Sequence, residues 1–417
     1  MIRLLLVAAA ALRARADDNV CTRPWPDVCP PAGGPAPCTP FAPPPAAPTD
    51  WLRVRAALIN DLFGVADGAL PAALPDAVSA VPGNTSRGCL CSAQSNCPAA
   101  ACAWASNMTS IVSTISVRVN ASFTLTLNST AFFTLNTSGV APLPYSPVEP
   151  LFPAFPMPAQ ARGGTLVIVH QGHDLPCVQP PSYDYDGTVN FLNELGYDVM
   201  NLHMPTYQVN AGQAPYNISC DHAWFEQFAA QGAPVIGRFF LEPVVRAINY
   251  AVGPLGYQRV VMTGLSGGGW STTMLAAIDP RIALSLPVAG SLPCDFRHTS
   301  WDFEQFCNNS WAMIANYTSL YVLGALEPGR ASVQLVHEQD PCCFHGCGRH
   351  DRIREYRGWA AAQAGGVFHA AVTAGNKHET NGRDKTIIAA LIEKLRLAGA
   401  LSAEDVAQLP FDTLREW

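Results

Sequence analysis

Residues 259–274 read Arg-Val-Val-Met-Thr-Gly-Leu-Ser-Gly-Gly-Gly-Trp-Ser-Thr-Thr-Met, with Ser266 at the tip of a glycine-crowded turn. A serine hydroxyl is a poor nucleophile at neutral pH unless it is lifted clear of its neighbours and set beside a base. The flanking residues predict that lift. Val260-Val261-Met262 is an apolar run suited to a buried parallel strand, and Trp270 to Ile278 carries helix formers up to the break at Asp279-Pro280. Glycine at 264 and 267 lets the chain turn sharply between the two without Cβ clashes, and the N–H of Gly267 is placed to face a developing oxyanion. The chemistry implied is attack by Ser266 on a carbonyl carbon. The five residues Gly264-Leu265-Ser266-Gly267-Gly268 also fit an ordinary strand-to-helix connection, so the rest of the chain has to supply a base and its partner.

Strand, serine turn and helix together resemble the nucleophile elbow of the α/β-hydrolase superfamily, in which an oxyanion loop precedes the serine and the acid and histidine follow it. The resemblance extends over roughly residues 110–400, is strongest at the elbow and weakest over 51–110. Upstream, the apolar run Thr165-Leu166-Val167-Ile168-Val169 leads into His170-Gln171-Gly172-His173. This looks like the family's His-Gly oxyanion loop, and implies Gly267, Gly172 and His173 as the oxyanion hole. Downstream, Ser332 to His337 reads as a strand whose end presents Asp340. Val367 to Val372 reads as the last strand, followed by His378. By resemblance the triad is Ser266, Asp340 and His378. Glu327 also ends an apolar run and is the alternative acid. Asp340 is preferred because one helix-like segment, Arg352 to Ala364, and one strand separate it from His378, the family's usual order.

What the resemblance implies is acyl transfer. Ser266 attacks, His378 takes its proton and returns it to the leaving alkoxide, Asp340 holds the imidazole in one tautomer, and water releases the acid. The expected fold is α/β: a mostly parallel eight-stranded sheet of the α/β-hydrolase type with helices on both faces. Two antiparallel strands within 111–136 would open it. Strands near 165–169, 197–202, 259–264, 283–289, 332–337 and 367–373 would continue it, with helices near 187–195, 237–253, 267–278, 352–364 and 384–397. A segment from Pro293 to Tyr317, rich in aromatics, interrupts the pattern and reads as a lid or pocket wall near Ser266, or as an insertion with its own core. No cofactor and no metal is expected.

The start of the chain predicts export. Arg3, the apolar stretch Leu4 to Leu12, and Ala14 and Ala16 have the form of a signal peptide over residues 1–16, too short in its apolar core to span a membrane. Residues 17–50 hold eleven prolines and three cysteines and read as an extended lead-in, after which 51–417 is expected to form one catalytic domain opening with a helix over Trp51 to Phe63 capped by Thr49 or Asp50. Fourteen cysteines and eight Asn-x-Ser/Thr acceptors, at Asn84, Asn107, Asn120, Asn128, Asn136, Asn217, Asn308 and Asn316, suit an oxidising compartment. Cys177 with Cys220, and Cys294 with Cys307, are plausible local disulfides. The dense patch Cys342, Cys343, His345, Cys347 and His350 is read as disulfide-forming rather than zinc-binding, because a secreted protein oxidises its thiols. From Ile111 to Leu135 odd positions are mostly apolar and even ones polar, which puts Asn120, Asn128 and Asn136 on the wet face of a strand pair.

A net charge of −7 with no basic cluster argues against nucleic acid and anionic membrane surfaces as partners. Two function classes remain: a secreted serine hydrolase of small-molecule or polymer-borne carboxylic esters, with peptidase and acyltransferase as variants on the same residues, or a hydrolase-fold binding or adhesion protein without turnover.

Overall fold

The structure is a computed structural model that describes residues 50–82, 107–134, 164–173, 187–294, 302–342, 344 and 350–409. The expected signal peptide, nearly all of the lead-in, Cys177, and the acceptors Asn84 and Asn136 lie outside the described residues.

One sheet organises the chain: β1 (Ala77–Pro82), β2 (Asn107–Arg118), β3 (Thr124–Thr134), β4 (Thr165–His170), β5 (Asp198–Leu202), β6 (Arg259–Leu265), β7 (Ile282–Val288), β8 (Ala331–His337) and β9 (Val367–Thr373). It has nine strands in the order β1-β2-β3-β5-β4-β6-β7-β8-β9. The first three strands pair antiparallel, as does β3 with β5, and from β5 through β9 every pairing is parallel. The expected parallel strands all appear within two residues of their predicted bounds. The ninth strand is β1. Its sequence, Ala-Val-Ser-Ala-Val-Pro, is short, weakly patterned and closed by proline, and it pairs on one side only, with β2. Proline is tolerated there because an edge strand does not need every N–H.

The antiparallel pair alternates as its sequence predicts. Ile111, Ile115, Val117, Leu125 and Leu127 are buried, while Thr114, Ser116, Thr126 and Asn128 face outward. Alternation ends where β3 begins to pair with β5: Ala131, Phe132, Phe133 and Thr134 are all buried, as befits a strand covered on both faces.

Helices α1 (Trp51–Phe63), α2 (Thr188–Glu194), α3 (Glu242–Val252), α4 (Gly267–Ile278), α5 (Ser310–Ile314), α6 (Tyr317–Gly324), α7 (His350–Gln363), α8 (Gly382–Ala398) and α9 (Ala403–Ala407) cover both faces of the sheet. Asp50 caps α1, accepting from the N–H of Arg53 at 3.0 Å. Before α3 the chain runs as a π-helix over Ile236–Leu241. Pro243 explains the widening: its ring lacks an N–H and crowds the carbonyl one turn back, so the helix loosens just upstream instead of stopping. Among the described residues, no helix is long and apolar enough to cross a membrane.

The switch in chain direction falls at β4. From β4 the chain moves outward to β5 and then returns across β4 to β6, so the crevice at the carboxyl ends of β4 and β6 is where a sheet of this kind receives its ligand.

Candidate active site

Ser266 sits between β6 and α4 with φ 57° and ψ −123°. A non-glycine residue held at positive φ stores about 1–3 kcal/mol of strain that the surroundings must outweigh. They do so through backbone: the Ser266 N–H donates to the Val288 carbonyl at 3.0 Å, and its own carbonyl accepts from Trp270 N–H at 2.8 Å. Beneath the turn, Gly268 packs so tightly on the His170 carbonyl that a Cβ there would overlap it. Trp270 is fully buried, edge-on to Phe240 and Trp311, and ties α4 to the π-helix before α3 and to α5.

The loop after β4 closes over this turn. A Cβ on Gly172 would stand 3.0 Å from Ser266 Cβ and 3.2 Å from Gly267 N, so the 170–173 backbone and the Ser266–Gly267 backbone are in direct contact. Gln171 anchors the loop, its N–H donating to Leu202 O at 2.8 Å and its side-chain amide to Asn201 Oδ1 at 2.9 Å. Burial pulls the His170 imidazole down to about 4, so it stays neutral and donates from Nδ1 to the Gln171 carbonyl at 2.8 Å. The three expected oxyanion-hole residues, Gly172, His173 and Gly267, therefore stand together beside Ser266.

Asp340 and His378 also meet. The N–H of Glu338 donates to Thr373 O at 2.9 Å and that of Gln339 to Gly375 O at 2.9 Å, which carries the β8–β9 ladder past the strand ends and brings the two loops side by side. His378 Nδ1 then donates to Asp340 Oδ2 at 2.8 Å, and Cys342 N–H to Asp340 Oδ1 at 2.7 Å. Burial alone would raise the Asp340 carboxyl, but the neighbouring His378 charge and hydrogen bond, with the Cys342 N–H and His337, leave it lowered. A second imidazole–carboxylate pair lies alongside: His337 Nε2 to Asp384 Oδ2 at 2.8 Å, both fully buried.

Glu327 is elsewhere. It precedes β8 and so lies at the amino edge of the parallel strands, where Arg55 Nη2 donates to it at 3.1 Å and Arg330 Nη1 at 2.6 Å. Ser266, His173, Asp340 and His378 all follow strands and share the opposite, carboxyl edge. Burial opposes charge on Glu327, but the two guanidiniums outweigh it and bring its carboxyl down to about 2.

The segment after β7 is fixed by a disulfide between Cys294 and Cys307, as expected. Cys220 is disulfide-bonded as well, while its expected partner lies outside the described residues. In the cysteine-dense patch Cys342 is buried, and Cys343, His345 and Cys347 lie outside the described residues. Phe303, Trp311 and Tyr317 are buried, with Trp311 packed between Tyr317 and Trp270 of α4, so these aromatics seat the insertion on the body of the fold. Its contribution to the site is polar: Glu304, fully buried, reaches His173 Nε2 at 3.2 Å and His222 Nδ1 at 3.0 Å. Neither His222 nor Glu304 was marked by any sequence pattern. His222 lies in an aperiodic loop and Glu304 in an insertion, and only the folded chain brings them together.

Strand order, elbow and crevice make this the fold of the α/β-hydrolase superfamily. No family model matches the sequence, and no curated protein matches it. Among solved structures the chain is similar to the Pyrococcus furiosus esterase Pf2001, at 12% identity over 72% of this chain and 91% of that one, with a TM-score of 0.39. It is similar to Est1E from Butyrivibrio proteoclasticus at 11% identity, over 68% and 99% of the two chains, with a TM-score of 0.36. It is also similar to the methylesterase BT1017 at 12% identity, over 87% and 66%, with a TM-score of 0.47.

Proposed function

We propose that this chain is an exported serine hydrolase that cleaves carboxylic esters through an acyl-enzyme intermediate on Ser266. The observation that carries the reading is the strained Ser266 turn abutting the Gly172 loop, at the same sheet edge as the hydrogen-bonded Asp340–His378 pair. His378 serves as general base and acid, with Nδ1 held by Asp340 so that Nε2 exchanges the proton with Ser266 and then with the leaving alkoxide. Backbone N–H groups of Gly267 and of the 172–173 segment stabilise the oxyanion, each such donor contributing about 3–4 kcal/mol to the transition state. Water then attacks the acyl-enzyme and frees the carboxylic acid.

Export is supported by the form of residues 1–16 and by disulfide-bonded Cys220, Cys294 and Cys307. Glycosylation fits the surface: Asn120, Asn128, Asn217, Asn308 and Asn316 are exposed.

The test is covalent labelling of the purified secreted protein by a fluorophosphonate, followed by hydrolysis of an ester panel. Wild type is expected to label; Ser266→Ala and His378→Ala are expected to abolish labelling, and Asp340→Asn to reduce turnover by about 10⁴-fold. Absence of labelling in correctly folded wild type refutes the reading and favours a binding protein on this fold.

A further inference from the structure

The side chains of His173, His222 and Glu304 converge on one point from three separate segments: the loop after β4, the aperiodic loop before α3, and the insertion after β7. His173 Nε2 lies 2.9 Å from His222 Nδ1 and 3.2 Å from Glu304 Oε1, and His222 Nδ1 lies 3.0 Å from Glu304 Oε2. Asp302 Oδ1 stands 3.5 Å from His173 Nε2, on the more exposed side. Nitrogen and oxygen ligands at about 2.0–2.1 Å from a tetrahedral zinc ion are spaced about 3.3 Å apart. The separations within the trio, 2.9, 3.0 and 3.2 Å, fall a few tenths of an ångström short of that value, so a small outward movement of the side chains admits the ion.

The tautomer of His222 sharpens the point. Its Nε2 is 2.8 Å from the Pro205 carbonyl, which only accepts, so Nε2 carries a hydrogen. In the neutral ring Nδ1 then presents a lone pair to Glu304 and to His173. Hydrogens on the two rings join these atoms only pairwise, each N–H serving one contact at a time. A divalent ion joins all three. Support from outside the cluster has the form that metal ligands need, with each ligand oriented by a further hydrogen bond. Pro205 O holds His222, Gln305 Nε2 donates to Glu304 Oε1 at 3.0 Å, and the rings of Tyr207 and Phe240 wall the space.

We propose that His173, His222 and Glu304, with Asp302 or water in the fourth position, bind a divalent transition-metal ion of the zinc class. The ion clamps the insertion and the loop before α3 to the segment that closes over Ser266. It also fixes the His173 tautomer: with Nε2 on the metal, the hydrogen sits on Nδ1, the ring edge that faces Gly267. A Cβ on Gly267 would lie 2.6 Å from that nitrogen. This last consequence rests on the proposed esterase reading; the binding of the ion does not.

The full chain, disulfides intact and stripped with a chelator, would be equilibrated with Zn²⁺ and separately with Co²⁺. One ion per chain is expected, with visible Co²⁺ d–d absorption of a four-coordinate site and no thiolate charge-transfer band. His222→Gln and Glu304→Gln are expected to weaken Zn²⁺ binding more than about 100-fold, since loss of a group that merely supports a ligand already costs about 10–100-fold. Folded wild type that takes up no ion overturns the proposal. So does undiminished binding in either variant, or a thiolate band, which would put the ion on cysteine. Should a variant fail to fold, wild-type stoichiometry and the Co²⁺ spectrum still decide, and neither depends on activity.

Discussion

Gly268 is where the elbow is least forgiving. Its Cα lies against the His170 carbonyl, a backbone atom that no rotamer change can move, so Gly268→Ala is expected to destabilise the fold by about 3 kcal/mol. Chemical denaturation checks this, and a loss below about 1 kcal/mol would mean that the β4 loop gives way. Ser266 was legible from the sequence because its whole context, strand, turn and helix, is contiguous. Asp340 and His378 were legible only through chain order, and the structure pairs them because the β8–β9 ladder runs on past both strand ends. His222 and Glu304 were illegible in principle: they lie 49 and 131 residues beyond His173 (222 − 173 and 304 − 173), with no periodicity to link them.

At the scale of elements, the two candidate acids lie at opposite edges of the sheet. Glu327 lies in the turn before β8, and what it does there is hold α1 to that turn through Arg55 and Arg330. Arg55 and Arg330 are themselves buried and also donate to the carbonyls of Ala277, Leu323 and Ile282, so removing the carboxylate takes away the ion-pair partner of Arg55 and leaves Asp279 as the remaining carboxylate acting on Arg330. Glu327→Gln is expected to cost about 2 kcal/mol of stability while leaving ester turnover within about twofold of wild type. Thermal melts and steady-state kinetics on one preparation separate the two; a collapse of kcat with unchanged stability would return Glu327 to the reaction. Elements with strong period, such as β2, β3 and the buried parallel strands, were predicted closely. β1 was missed because edge pairing compensates for a weak pattern, and the π-helix because its cause, Pro243, lies inside a run that otherwise reads as a regular helix.

For the whole molecule, the two imidazole–carboxylate pairs set opposite limits on pH. His337 would be lowered by burial, but its hydrogen bond to Asp384 and the charges of Asp384 and Asp340 leave it raised above 6.5. Its contribution is complete below 6.5 and is lost as pH rises through the raised value. Asp340 is lowered below 3.8, so its contribution is complete above 3.8 and is lost as pH falls through the lowered value. Urea midpoints are therefore expected to be highest between these limits, and His337→Gln is expected to lower stability at pH 6 by about 3 kcal/mol and to flatten the alkaline decline. An alkaline slope identical in wild type and variant would assign the decline to other groups.

The sheet also separates two tasks in space. Arg55, Asp279, Arg281, Glu327 and Arg330 form ion pairs at the amino edge, and the loops that carry Ser266, His173, Asp340 and His378 stand a full strand length away at the carboxyl edge. Substitutions that far apart, with no shared partner, combine additively. Under the proposed reading, lineages of this protein can therefore adjust heat tolerance at one rim while trying new substrates at the other, and a gain at the first rim widens the range of substitutions survivable at the second.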